Sequence, residues 1–145
     1  MRSKILRTMI IAKPAAVNDG LVNQILAMLE IAELKIIGLK VEVLDVHHLE
    51  KDLDREKDAS KKKLLEDAVK IPSVLIAVEG NTAIIVGKKI KEKYDWKVHV
   101  SASEEVGKYE ITRFFKTSEL FEYNKVGDLL EKMDLREKDF KGNFR

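Results

Sequence analysis

One histidine stands among residues that can act on it: Val98-His99-Val100-Ser101-Ala102-Ser103-Glu104-Glu105, followed by Tyr109-Glu110-Ile111-Thr112-Arg113-Phe114-Phe115. An imidazole on a short apolar strand, oriented by a carboxylate from the next helix, keeps one ring nitrogen free to attack an electrophile. That is the chemistry of a nucleophile.

Other chemistries lack their residues. The chain has no cysteine, so disulfides, thiolate metal sites and cysteine nucleophiles are excluded. His47 and His48 adjoin but no HExxH pattern accompanies them, and no metal held by protein ligands alone is expected. Lys+Arg number 27 against 25 Asp+Glu, so the 36% charged fraction is a mixed-sign surface, and the net charge of +2 argues against a nucleic-acid partner. The lysines at 61 to 63, 88 and 89 read, taken singly, as solvent-facing charge. The segment Met1-Arg2-Ser3-Lys4-Ile5-Leu6-Arg7 carries charge within its apolar run and lacks a small-residue cleavage site. No stretch has the length of a membrane span, so no membrane partner and a cytoplasmic location are the expectation.

The elements that must position His99 alternate along 145 residues, enough for one core. A single domain over 1–135 with a charged tail over 136–145 is expected. Ile5 to Ala12 reads as a strand stopped at Lys13-Pro14. Asn18 and Asp19 are expected to cap a helix carrying Leu21, Ile25, Met28, Leu29 and Ala32 at helical spacing. Leu39, Val41 and Val43 alternate with Lys40 and Glu42, the pattern of a half-buried strand. The charged stretch from His47 to Lys70 reads as one or two exposed helices. Pro72 opens Val74-Leu75-Ile76-Ala77-Val78, a strand covered on both faces, and Glu79-Gly80-Asn81 ends it before a helix to about Lys93. Trp96 to Val100 is the strand bearing His99, with Trp96 expected in the core. Ser101 with Glu104 is a candidate capping box for a helix reaching Phe115. An amphipathic segment follows over Val126 to Met133.

Three ordered blocks resemble one family. Arg7-Thr8-Met9-Ile10-Ile11-Ala12-Lys13-Pro14-Ala15-Ala16-Val17, with Gly20-Leu21-Val22 and Ile36-Ile37-Gly38-Leu39-Lys40, resembles the N-terminal third of nucleoside diphosphate kinases, which read R-T-x-x-x-I-K-P-D-A/G-V. Pro72 to Gly80 resembles the family's apolar strand ending in Glu-Gly. His99 to Phe115 resembles H-G-S-D-S-x-E-x-x-x-x-E-I-x-x-F-F, with His99, Ser101, Ser103, Glu105, Glu110, Ile111, Phe114 and Phe115 in register.

The resemblance implies an α+β fold, a ferredoxin-like βαββαβ antiparallel sheet with helices packed on it. It implies a γ-phosphoryl moved from a nucleoside triphosphate to a nucleoside diphosphate through a phosphohistidine at His99. Glu110 would orient the imidazole, Ser101 would support the phosphorylated centre and Lys13 would neutralise the phosphate; Arg55 and Lys88 would be further phosphate contacts. Mg2+ would arrive bound to the nucleotide phosphates, and a homodimer would form through the strand ending in Val41-Glu42-Val43.

Departures from the family point to a second reading. Members carry a long loop before the catalytic strand, with P-G-T-I-R-G-D and then G-R-N, whereas Tyr94-Asp95-Trp96-Lys97-Val98 alone joins Lys93 to His99. Leu49 replaces a tyrosine, Ala15 an aspartate, and no Pro-Phe-Phe follows Arg55. Much of the nucleotide clamp is absent, which leaves a non-catalytic nucleotide-binding or protein-interaction module of the same fold as the alternative.

Overall fold

Successive residues of the first strand point into two different apolar clusters, and that alternation organises the molecule. The computed structural model describes residues 5–44 and 72–123. β1 (Leu6–Ala12) sends Ile10 and Ala12 to one face of the sheet and Met9 and Ile11 to the other. β3 (Ser73–Gly80) lies antiparallel to it and does the same: Val74, Ile76 and Val78 on one side, Leu75 and Ala77 on the other. Its continuous apolar run is buried on both faces, as the sequence predicts.

The first face is covered by α2 (Val22–Ile31), through Ile25 and Leu29, and by α3 (Ala83–Tyr94), through Ala83, Ile90 and Tyr94. The second is covered by α4 (Glu104–Phe114), through Ile111, and by Phe115 and Leu120 beyond it. With β2 (Lys35–Glu42) and β4 (Val98–Val100) the strand order is β2-β3-β1-β4, every pair antiparallel. The described elements thus run βαββαβ with two added α-helices, the expected ferredoxin-like arrangement. β1 is central, and β4, bearing His99, is an edge strand.

Lys13-Pro14 ends β1 after Ala12 as expected, and proline at the first helical position also starts α1 (Pro14–Asn18), because its fixed φ suits that place. Three local expectations are corrected. Asp19 therefore terminates α1 instead of capping α2, and the turn passes through Gly20 at φ 72. In β2 the alternating apolar residues face outward: Leu39 is 51% and Val41 66% exposed. The cause is a β-bulge at Ile37, where pairing jumps from Ile36–Val78 to Gly38–Ala77. Beyond it Leu39 and Val41 share the face of Ile76 and Val74 at the open sheet edge, while Lys40 lies over the Phe115 ring at 5.0 Å and binds Glu119 at 3.2 Å. Finally, Ser103, not Ser101, caps α4, its hydroxyl accepting from the Val106 N–H at 3.3 Å.

Candidate active site

His99 pairs with Ile11 across β4 and β1, so its ring lies on the face that α4 covers. α4 comes unusually near that sheet. A Cβ built at Gly107 would stand 2.6 Å from the Arg7 carbonyl oxygen and 3.2 Å from Thr8 Cα, distances that backbone atoms cannot relieve cheaply. Only glycine permits this approach, and Glu110 lies one turn further along the same helix face.

Glu110 uses that proximity twice. Its Oε2 is 2.5 Å from His99 Nε2, and its Oε1 accepts from the Ser101 hydroxyl at 2.7 Å. Ser101 is itself fixed by β1: its Oγ accepts from the Met9 N–H at 3.1 Å, and its own N–H donates to the Met9 carbonyl at 3.0 Å. Burial pushes the Glu110 pKa up, but hydrogen bonds from His99 and Ser101, with the charges of His99 and Arg113, outweigh it and hold the carboxyl below its usual value. The carboxylate is therefore ionised near neutrality and accepts from His99 Nε2, which selects the tautomer of the neutral ring whose lone pair is on Nδ1. The His99 side chain is 38% exposed against 15% for Glu110, so the nucleophile reaches solvent while its support does not.

Lys13 lies just beyond. Its N–H donates to the Lys97 carbonyl at 3.0 Å, and alternation along β1 places it on the face of Ile11, diagonal to His99. Lys88 is not brought to this cluster: it is exposed on α3, which packs on the opposite face of the sheet, and it shares no hydrogen bond or ion pair with His99, Ser101 or Glu110. Arg55 lies outside the described residues, as do His47, His48, the helices expected between 47 and 70, the segment Val126 to Met133 and the tail over 136–145.

The connection into β4 is a single 3-10 turn, Asp95–Lys97, with Asp95 at φ 50. Lys91 of α3 donates from Nζ to the Asp95 carbonyl at 3.1 Å and the Val98 carbonyl at 2.8 Å, spanning the turn. Lys97 Nζ binds Asp19 Oδ2 at 2.6 Å and ties the turn to the end of α1. Trp96, expected in the core, is only half-buried and joins neither apolar cluster. Neither Lys91 nor Gly107 was singled out from the sequence. A glycine inside a helical segment was the available signal for Gly107.

A family model for nucleoside diphosphate kinase matches residues 6–97. Curated relatives agree: the nucleoside diphosphate kinase of Pyrococcus horikoshii is 32% identical over 145 aligned positions, covering 84% of this chain and 92% of its own. The chain belongs to the nucleoside diphosphate kinase family. The Thermococcus kodakarensis kinase is 34% identical, covering 86% of this chain and 85% of its own length. Among solved structures, a family protein from Babesia bovis superposes with TM-score 0.62 at 24% identity, covering 83% of this chain and 95% of that one. A Borrelia burgdorferi nucleoside-diphosphate kinase, solved as a transition state mimic with vanadate and ADP, gives 0.60 at 23%, covering 88% and 96%. These last two carry the fold alone. The family match stops two residues before His99, so the roles in this kinase-family site rest on the geometry above.

Proposed function

We propose that the protein moves a γ-phosphoryl group from a nucleoside triphosphate to a nucleoside diphosphate through His99. The observation that carries the reading is the His99–Glu110–Ser101 arrangement, which occupies Nε2 and presents Nδ1. The Nδ1 lone pair attacks the γ-phosphorus, the bond to the β–γ bridging oxygen breaks, and the diphosphate departs with that electron pair. The imidazolium so formed is stabilised through its Nε2 proton by the ionised Glu110. A terminal oxygen of an acceptor diphosphate then attacks the same phosphorus and restores the free ring.

Lys13 contributes positive charge beside the transferring oxygens. Both Glu110 oxygens are engaged, on His99 and Ser101, so magnesium is assigned to the nucleotide phosphates as part of the substrate. The exposed edge of β2, with Leu39, Val41 and Val43, supports a homodimer, which light scattering after size exclusion measures. No helix among the described residues is long and apolar enough to cross a membrane.

Incubation with γ-labelled ATP should yield an acid-labile, base-stable phosphoenzyme, and His99→Ala should abolish it. Labelling that persists in that variant, or that falls on a serine, overturns the mechanism. A folded wild-type protein that binds nucleotide without labelling supports the non-catalytic alternative that the short turn into β4 favours.

A further inference from the structure

Arg7 and Lys108, on β1 and α4, line one groove whose other walls are mostly apolar. The groove has a volume of about 330 Å³; Ile5, Ile111 and Leu120 give it hydrocarbon, and Thr112 a methyl group, since the Thr112 hydroxyl already donates to the Tyr109 carbonyl at 2.7 Å. It is distinct from the transfer centre. Arg7 precedes Ile11, the residue paired with His99, by four positions on β1, about 13 Å at the rise of a strand.

Charge beside the groove is unbalanced. Lys35, Glu79 and Arg7 form a row across β2, β3 and β1 in which one carboxylate serves two cations: Glu79 Oε2 accepts from Arg7 Nε at 2.8 Å, and Oε1 lies 3.2 Å from Lys35 Nζ. That row carries one positive charge in excess. Among the described residues Arg7 uses only Nε, so both terminal amino groups of its guanidinium are left in the planar fork that suits a carboxylate. Lys108 meets Glu104 at 3.3 Å through a side chain 62% exposed, a pair that solvent weakens and that a ligand can share.

We propose that this groove binds a free aliphatic monocarboxylate of medium chain length, with its head on Arg7 and Lys108 and its chain against Ile5, Ile111 and Leu120. A single negative charge matches the excess, and the apolar walls match the chain. The volume sets the length: at about 30 Å³ for each water-sized group it holds on the order of ten non-hydrogen atoms. The site goes beyond the phosphotransfer reading and does not depend on it.

Calorimetric titration of the full chain with decanoate should show one site, unchanged by saturating ATP. Octanoate, two methylenes shorter, should bind ~10-fold more weakly. Decanol, which lacks the charge, should also bind ~10-fold more weakly, and Lys108→Met should cost a similar factor for decanoate and none for decanol. Thr112→Trp, at an exposed position, fills the groove and should abolish binding of both while the urea midpoint stays at the wild-type value. Equal affinity for decanoate and decanol, release of decanoate by ATP, or undiminished binding by the folded Thr112→Trp protein overturns the site. So does the absence of decanoate binding at millimolar concentration. Phosphoenzyme formation is measured separately, and its presence or absence bears on the transfer reading alone.

Discussion

At His99, Ser101 and Glu110 the bonds run between side chains, on a strand and a helix brought close by a glycine; at Asp95–Lys97, immediately upstream, they run from lysine ammonium groups to backbone carbonyls and one aspartate. The first arrangement sets the state of a ring: which nitrogen is protonated and which is exposed. The second sets only where the chain goes. Chemistry and placement are thus divided between neighbouring segments, and damage to each should be read in a different quantity.

Removing the carboxylate tests the first. Glu110→Ala leaves the nucleophile but frees its orientation, and misplacement of about an ångström costs on the order of 100-fold in the transfer step. Rapid-quench measurement of phosphoenzyme formation should show that loss with nucleotide affinity unchanged; an effect confined to affinity would erase the division. Gly107→Ala acts on the same centre indirectly. Its Cβ collides with the Arg7 carbonyl, so α4 must move, with a stability loss of about 1–3 kcal/mol in urea unfolding and a smaller loss of transfer rate than Glu110→Ala.

Lys91→Met tests the second segment. It keeps the aliphatic stem and deletes two hydrogen bonds, each contributing about 1 kcal/mol. The dissociation constant for ATP should rise several-fold while phosphoenzyme formation at saturation falls less. A loss of transfer rate as large as that of Glu110→Ala would show that the turn also governs the chemistry. The smallest effect is one of pH. Burial raises the carboxyl of Glu79, but hydrogen bonds and charge from Arg7 and Lys35 outweigh it, so Glu79, like Glu110, is held below its ordinary value. Both carboxyls therefore contribute stability that is complete above the unfolded-chain value of about 4.3 and is lost as pH falls through the lower folded value. Urea midpoints should decline across that acid range, and Glu110→Gln should flatten the decline.

The sheet was legible because its strands obey simple rules: a run from Val74 to Val78 apolar on both faces, and a strand that proline closes after Ala12. The transfer centre was legible because His99, Ser101 and Glu110 are near in sequence and set by one strand and one helix. What the residues could not show was set by counting and by closeness. Alternation at Leu39, Val41 and Val43 marked a strand correctly, but the extra residue at Ile37 decides which face those side chains take. Ser101 and Ser103 are equivalent as capping residues on paper; the helix starts two residues too late for Ser101, which the Met9 backbone claims instead. Lys91 carries no mark in the sequence that tells a strut from a surface charge.

The bulge also makes β2 sensitive to length in a way it is not sensitive to spelling. Its extra residue is held from outside, since the Ile37 carbonyl accepts from the Phe121 N–H at 2.9 Å and the Ile36 carbonyl from the Tyr123 hydroxyl at 2.7 Å. Exchanging one exposed aliphatic for another at Leu39 or Val41 alters little, whereas one residue inserted after Gly38, with the bulge kept, would re-phase everything beyond it, turning Lys40 away from Phe115 and driving Leu39 and Val41 toward the opposite layer. Among descendants of this chain, drift should accumulate in the identity of those residues, while insertions between the bulge and Leu39 are purged.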